Sequence, residues 1–226
     1  MPDKTFTPEA VFFDMDGTLI DSEPAWHAAE IELMAEFDYA WGMEDIQFCI
    51  GGPLSKVGLY MHEKSKRLNT PQFFVEELIS RTSELLKKNF PFMPGAKELL
   101  DAYLEMGMPV GIVSASPRSL VDNAVFALPE GSFAVSISSD DVSRTKPFAD
   151  PYLAAASKIG VNIENCIILE DSQTGIDSAR AAGGWVVAIP HFITPTFAPR
   201  TIVLETLLQV TPQDIHNKID ELRRTL

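Results

Sequence analysis

The stretch Val11-Phe-Phe-Asp-Met-Asp-Gly-Thr-Leu-Ile-Asp-Ser-Glu23 decides the fold of this 226-residue chain. It begins as a short apolar run, which is typical of a buried strand, and ends in Asp14 and Asp16 followed by glycine. Alternation along a strand places these acids on one side, at the carboxyl edge where open α/β sheets bind ligands. Gly17 can turn the chain sharply there because it lacks a Cβ atom.

The pair Asp14 and Asp16 invites three interpretations. Two carboxylates held this close repel each other, so their pKa values should move apart. A bound divalent cation would relieve the repulsion, and so would a division of labour in which one acts as a base and the other as an acid. The third interpretation is a polar strand end followed by a solvated turn.

Further along the chain, apolar runs alternate with helical patterns. The runs predict four more strands, at Pro109–Ser116, Phe133–Ile137, Cys166–Leu169 and Trp185–Ile189. Helical stretches of about ten residues separate them, and a final helix is expected near Thr211–Leu226. This alternation predicts an α/β fold with a doubly wound, parallel, Rossmann-like sheet.

A helical block interrupts this pattern after the first strand. Its helices are expected near Pro24–Phe37, Leu54–Leu68 and Pro71–Lys88, with Asp21 or Ser22 as the N-terminal cap of the first. Cys49-Ile-Gly-Gly-Pro53 is predicted to be a loop. We therefore predict a core domain at 1–22 and 90–226 and an α-helical domain at 23–89.

Composition limits the possible partners. The chain has 18 Lys and Arg against 32 Asp and Glu, a formal net charge of −14, which argues against sequence-independent nucleic-acid binding. No segment reaches the roughly 18 apolar residues of a membrane span, and no secretory leader is evident, so a cytoplasmic location is expected. Cys49 and Cys166 lie in apolar surroundings without metal-ligand spacing, and we expect buried, inert thiols.

Three later strand ends also carry polar residues. Ser114, Ala115 and Ser116 precede a helix, where a hydroxyl and free backbone amides suit either an anion or simple helix capping. Lys146 follows the third strand, where a lone lysine is more often solvated. Glu170 and Asp171 follow the fourth strand, either as a capping device or as metal ligands.

Together, the polar residues at these four strand ends resemble the four motifs of the haloacid dehalogenase-like superfamily. Phe13-Asp-Met-Asp-Gly-Thr-Leu-Ile-Asp-Ser-Glu23 is similar to the first motif in the branch of β-phosphoglucomutases and sugar-phosphate phosphatases, including hexitol and 2-deoxyglucose phosphate phosphatases. Ser114 matches the second motif, Lys146 the third and Glu170-Asp-Ser the fourth. Ala149 departs from the usual Lys-Pro-x-Pro-Asp form of the third motif, a change that would loosen the loop.

The resemblance implies a role for each matching residue. Asp14 would be the nucleophile and Asp16 the acid and base, whereas Ser114 would bind the transferring phosphoryl group and Lys146 would balance charge. Mg²⁺ would be held by the side chains of Asp14 and Asp171 and by the backbone carbonyl of Asp16, and Glu170 would act directly or through water. Contacts to phosphate or substrate are expected from these positions: Gly17, Ala115, Ser116 and, in the helical block, Lys56.

The resemblance implies a Mg²⁺-dependent phosphatase of small sugar or sugar-alcohol phosphates that works through an aspartyl-phosphate. The alternative is a β-phosphoglucomutase, which would pass the phosphoryl group to a sugar hydroxyl. A receiver-like signalling or binding module is a third reading, but receivers are about half as long and carry no helical insertion. The helical block would be a cap that closes over the site, the partner a small phosphorylated metabolite, and the chain a monomer.

Overall fold

The structure is a computed structural model that describes residues 5–49, 53–190 and 198–225. The strands in these ranges are β1 (Ala10–Phe13), β2 (Val110–Val113), β3 (Val135–Ile137), β4 (Cys166–Glu170), β5 (Trp185–Ala188) and β6 (Thr201–Val203). The helices are α1 (Glu23–Ala35), α2 (Met43–Cys49), α3 (Leu54–Lys64), α4 (Pro71–Lys88), α5 (Ala96–Glu105), α6 (Arg118–Phe126), α7 (Asp150–Ile159), α8 (Gln173–Ala182) and α9 (Pro212–Arg223). Short 3₁₀ turns lie at Ser139–Asp141 and Ile163–Asn165.

The chain divides into two compact units. Ser22–Phe90 form one, which we call the helical unit, and the segments that end at Asp21 and begin at Pro91 form the other, the α/β unit. The helical unit is inserted between β1 and β2 in the chain.

All six strands of the α/β unit are parallel and lie in the order β3-β2-β1-β4-β5-β6. The chain winds from β1 outward to β3, returns to the other side of β1 with β4, and continues to β6. The predicted doubly wound parallel sheet is therefore confirmed. Its switch point lies at β1, between β2 and β4, and ligands bind such sheets at this point.

The residues of β1 explain why it occupies the centre. All four are fully buried, as expected for a parallel strand covered on both faces. Ala10 and Phe12 pack in a cluster that includes residues of α7 and α8. Val11 and Phe13 point to the opposite face because side chains alternate along a strand. Strand β1 thus places the residue after its carboxyl end, Asp14, in the middle of the sheet edge.

The helical unit has its own core, which joins α1, α2, α3 and α4. Its fully buried members are Ala29, Leu33, Met34, Met61, Phe74 and Leu78. The short helix α2 was not predicted, and its last residue, Cys49, is the first residue of the expected loop. Ser22 occupies the N-cap position of α1, as predicted, but makes no side-chain capping hydrogen bond.

The sheet edge also departs from prediction. Strand β6 was not expected; it has three residues, and only the first of them is buried. Cys49 and Cys166 are buried and free, which confirms the prediction for them. Among the described helices, none combines the length and the apolar character that a membrane crossing requires.

Candidate active site

The predicted site residues of the core lie at the carboxyl ends of β1, β2 and β4. Each strand continues its ladder by one residue at this edge: the Asp14 amide donates to the Leu169 carbonyl at 3.0 Å, and the Ser114 amide donates to the Ile137 carbonyl at 2.9 Å. Neighbouring strands therefore fix the backbone of both residues. Lys146 reaches the same edge from the connection between β3 and α7.

Lys146 is buried and lies between two carboxylates. Its Nζ donates to Asp14 Oδ1 at 2.6 Å, to Glu170 Oε1 at 2.6 Å and to the Val113 carbonyl at 2.8 Å. An ammonium group has three protons, and all three are used by these partners. The solvated lysine considered above is therefore wrong, because the side chain joins the ends of β1, β2 and β4.

Negative charge exceeds positive charge around this lysine. Asp14, Glu170 and Asp171 each offer one carboxylate oxygen, and these oxygens lie within 4.8 Å of one another. Burial and the charge of Asp14 raise the pKa of Asp171 to about 7, although Lys146 opposes the shift. Burial also raises the pKa of Asp14 and of Glu170, again against the opposing charge of Lys146. The cluster would gain from a further cation.

Asp16 has different partners from Asp14. Its Oδ2 accepts a hydrogen bond from Ser116 Oγ at 2.7 Å and a longer one from Ser114 Oγ at 3.3 Å. Ser114 Oγ in turn accepts from the Ser116 amide at 2.9 Å. Asp16 is half-buried, whereas Asp14 is buried. The two acids thus stand in different surroundings, as a division of roles between them requires.

Gly17 and Thr18 support Asp171 from the first motif. Gly17 has φ +86°, and a Cβ atom there would lie 2.4 Å from Asp171 Oδ2, so only glycine fits. Thr18 Oγ1 donates to Asp171 Oδ1 at 3.3 Å. The loop after β1 and the end of β4 are therefore packed against each other at the acidic cluster.

The N-terminus of α6 is less open to an anion than predicted. The Ser116 amide is taken by Ser114 Oγ, and the Arg118 amide donates to Asp140 Oδ2 at 2.8 Å. Ala115 is exposed beside them. The expectation of free backbone amides is thus wrong for positions 116 and 118, because polar side chains of the same unit already bind them.

Lys56 lies in the helical unit and is exposed. Its Nζ donates to the Phe48 carbonyl at 3.0 Å and lies 4.2 Å from the centre of the Phe48 ring. Gly51 and Gly52, which belong to the predicted loop Cys49–Pro53 near Lys56, are outside the described residues. The substrate-binding role of Lys56 stays a prediction.

Tyr152 is the residue of this site that the sequence did not reveal. It is fully buried in α7, and its hydroxyl donates to Glu170 Oε1 at 2.5 Å. Burial, followed by the charges of Glu170 and Asp14, raises its pKa well above the usual value, so the phenol keeps its proton. Helical spacing alone predicts that Tyr152 is buried, but it does not show which strand end its hydroxyl faces.

Comparisons with known proteins agree with this geometry. Residues 11–189 match the family model described as haloacid dehalogenase-like hydrolase. The chain is 31% identical over 213 residues to hexitol phosphatase B of Escherichia coli strain K12, covering 91% of this chain and 96% of that protein. It is 31% identical over 197 residues to protein CbbY of Rhodobacter capsulatus, covering 82% and 87% respectively.

The fold also matches solved structures. A crystal structure of CbbY from Rhodobacter sphaeroides, in complex with xylulose-(1,5)-bisphosphate, aligns with a TM-score of 0.78 at 22% identity and covers 92% of this chain and 99% of that one. The family model spans all four strand-end motifs, from the acids after β1 to those after β4. The chain therefore belongs to the haloacid dehalogenase-like hydrolase family and is an enzyme.

Proposed function

We propose that this enzyme is a phosphatase of small sugar or sugar-alcohol phosphates that works through an aspartyl-phosphate. The observation that carries the proposal is the placement of Asp14, buried and bound to Lys146, beside the half-buried Asp16 at the switch point of the sheet. Relatives that are about one third identical over most of the chain include a hexitol phosphatase, which supports the same substrate class.

Asp14 is the proposed nucleophile. Lys146 holds its Oδ1, which leaves Oδ2 to attack phosphorus. An oxygen–phosphorus bond then forms to Asp14 as the ester oxygen–phosphorus bond breaks, which divides one difficult displacement into two steps. Because the three protons of Lys146 are bound within the protein, its charge acts mainly on Asp14 and Glu170 rather than through a direct bond to phosphate.

Asp16 is the proposed acid and base. In the first step it gives a proton to the departing sugar oxygen, and in the second it takes one from the water that attacks the aspartyl-phosphate. Ser116 and Ser114 donate to its Oδ2 and so hold the carboxyl group in place. Ser114 can turn its hydroxyl to the phosphoryl group when substrate is bound.

The acidic cluster fits Mg²⁺. Three carboxylates, from Asp14, Glu170 and Asp171, share one ammonium group, and hard oxygen donors of this kind are the ligands that Mg²⁺ prefers. The backbone carbonyl of Asp16 is proposed as a further ligand. When bound, Mg²⁺ supplies positive charge that offsets the charge of the phosphoryl oxygens. The rest of the chemistry belongs to the protein residues described above.

The helical unit is proposed to act as a cap that recognises the sugar and excludes water from the site. Its composition supports this role, since Lys56 offers an exposed cation and its neighbour Phe48 an aromatic ring. Asp14, Asp16, Ser114 and Lys146 would therefore determine the reaction, whereas the cap would determine which sugar is used.

The proposal is tested by phosphate release with Mg²⁺ from a panel of hexose and hexitol phosphates, with Asp14→Asn as control. The panel includes β-glucose 1-phosphate, which is also assayed for conversion to glucose 6-phosphate. Release that depends on Asp14 supports the phosphatase. Glucose 6-phosphate formed with little free phosphate would instead establish the mutase. If no substrate reacts in an Asp14-dependent manner, the sugar-phosphate assignment is wrong.

A further inference from the structure

Glu170 is held by two donors on one of its oxygens. Tyr152 Oη donates to Oε1 at 2.5 Å, and Lys146 Nζ donates to the same oxygen at 2.6 Å. All three side chains are buried, and Glu170 and Tyr152 have no exposed surface. A carboxylate with two donors on one oxygen cannot rotate without losing both hydrogen bonds.

The other oxygen of Glu170 is held by packing. A Cβ atom at Gly175 would lie 1.9 Å from Oε2 and 2.2 Å from Oε1, so the whole carboxylate, Oε2 included, rests against the first turn of α8. Ser172 Oγ, the N-cap of α8, lies 3.4 Å from Oε2. Glu170 is therefore fixed in two ways, by the hydrogen bonds from Tyr152 and Lys146 to Oε1 and by the packing of its carboxylate against α8.

Such a fixed carboxylate has a consequence for metal choice. Mg²⁺ requires near-ideal octahedral geometry at short distances and is bound by few carboxylates, whereas Ca²⁺ accepts more oxygens, at longer distances, and readily takes both oxygens of one carboxylate. A Glu170 that cannot turn presents a single oxygen to the cluster, which suits Mg²⁺ better than Ca²⁺.

We propose that Tyr152 is a positioning residue that makes the cluster of Asp14, Glu170 and Asp171 select Mg²⁺ over Ca²⁺. The inference rests on the proposed function, since it concerns the metal site of that reaction. Tyr152, rather than Lys146, is the residue specific to this role. Lys146 also binds Asp14 and the Val113 carbonyl, whereas the Tyr152 hydroxyl donates to Glu170.

The chain supplies a matched control. Tyr103 is also a fully buried tyrosine of the α/β unit, but its hydroxyl has no hydrogen-bond partner among the residues that the structure describes. Tyr152→Phe and Tyr103→Phe therefore delete the same atom from two buried sites, and only the first deletion removes a donor from Glu170. Changes in packing affect both variants, whereas a change in metal selectivity is expected from Tyr152→Phe alone.

The test is calorimetric titration of the metal-free protein with Mg²⁺ and, separately, with Ca²⁺. We expect the ratio of the Ca²⁺ to the Mg²⁺ dissociation constant to fall about tenfold in Tyr152→Phe, the size typical of losing a partner of a metal ligand. Tyr103→Phe should keep the wild-type ratio. Glu170→Asp, which withdraws the carboxylate from Tyr152, should lower the ratio as well and gives a second variant if Tyr152→Phe does not fold.

The outcomes separate this inference from the proposed function. An unchanged ratio in Tyr152→Phe, or in Glu170→Asp, would overturn the positioning role while leaving the metal site in place. Equal Mg²⁺ binding by the wild type and Asp171→Asn would show that the cluster is not the metal site and would overturn both. An equal fall of the ratio in Tyr103→Phe would mean that packing alone is responsible.

Discussion

Lys146 is the single side chain whose removal should cost the α/β unit most. Lys146→Met would leave Asp14 and Glu170 buried without their shared partner, and breaking a buried pair typically costs about 3–5 kcal/mol. We expect a loss of this size in the free energy of unfolding, measured by urea denaturation of the metal-free protein, and a partial recovery when Mg²⁺ is added.

Lys158→Met is the control for the Lys146 experiment. Lys158 lies in α7 and is exposed, so the same loss of charge should change the free energy of unfolding by less than about 1 kcal/mol. If Lys146→Met lowered the free energy of unfolding by a similarly small amount, the inferred role of Lys146 in holding the strand ends together would be contradicted.

Asp16 should be distinguishable from Asp14 by the leaving group. Asp16→Asn is expected to slow the turnover of a sugar phosphate by about 10²–10⁴-fold, because the alkoxide then departs without a proton. With p-nitrophenyl phosphate, whose phenolate leaves without protonation, the variant should show a burst of nitrophenol followed by slow turnover. Asp14→Asn should show neither the burst nor the slow turnover. If Asp16→Asn lost equal activity with both substrates, the assignment of Asp16 as the acid and base would be contradicted.

Much of the site could be predicted at the level of residues. Asp14, Ser114 and Glu170 each follow an apolar run, so their positions at one sheet edge follow from the run lengths and the parallel pattern. The contact of Tyr152 with Glu170 joins α7 to β4 and depends on how a helix rotates against the sheet. Periodicity indicates which side of α7 is buried, but not which atom meets the hydroxyl.

Helix α9 provides a test at the level of elements, through His216. This side chain is buried beside Phe6 and Tyr103, and within the described part of the chain its Nε2 has no hydrogen-bond partner. Burial lowers its pKa, while Asp220 opposes the shift. The unfolded chain therefore binds a proton at a higher pH, near 6.5, than the folded chain does.

The sign of the pH effect follows from this difference. The stability from neutral His216 is fully present above pH 6.5 and is lost as the pH falls through the lower pKa of the folded state. His216→Phe should therefore reduce the fall in Tm between pH 7 and pH 5 by a few degrees. Measurement at pH 8, where the histidine is neutral in both states, gives the effect of the substitution alone. An unchanged slope would contradict the prediction.

Sequence patterns at this level failed for two short elements. Strand β6 has three residues, of which only the first is buried, and α2 has seven, which is about two helical turns. The strands β1, β2, β4 and β5 were predictable because both faces of the sheet are covered, which requires continuous apolar runs. Prediction also succeeded for the edge strand β3, which lies within the apolar run Phe133–Ile137, and failed for β6 at the opposite edge.

The whole molecule should tolerate removal of its insertion. The two segments of the α/β unit that flank the insertion lie side by side. The Asp21 amide donates to the Pro91 carbonyl at 2.9 Å, and Ile20 forms an antiparallel bridge with Phe92. A short Gly-Ser linker in place of residues 22–90 can therefore span the gap. We expect the remaining α/β unit to unfold cooperatively, as followed by circular dichroism.

Activity of this shortened protein would test the proposed cap. Turnover of hexitol phosphates should fall by at least about tenfold, whereas p-nitrophenyl phosphate, which offers little for a cap to recognise, should be affected less. Equal losses for both substrates would indicate that the helical unit supports the chemistry itself. Unchanged turnover of both would show that it does not select the substrate.

The central position of β1 also determines how late in synthesis its strand pairing can be completed. Strand β1 pairs with β4, whose first residue, Cys166, is made about 150 residues after Ala10. At the usual rates of translation, this delay is on the order of ten seconds. Until Lys146 and β4 emerge from the ribosome, Asp14 has no cation partner and Phe12 has no cover on one side. For most of its time on the ribosome, a nascent chain of this enzyme therefore exposes apolar residues of an incomplete sheet. Chaperones that bind apolar segments are expected to bind it at that stage.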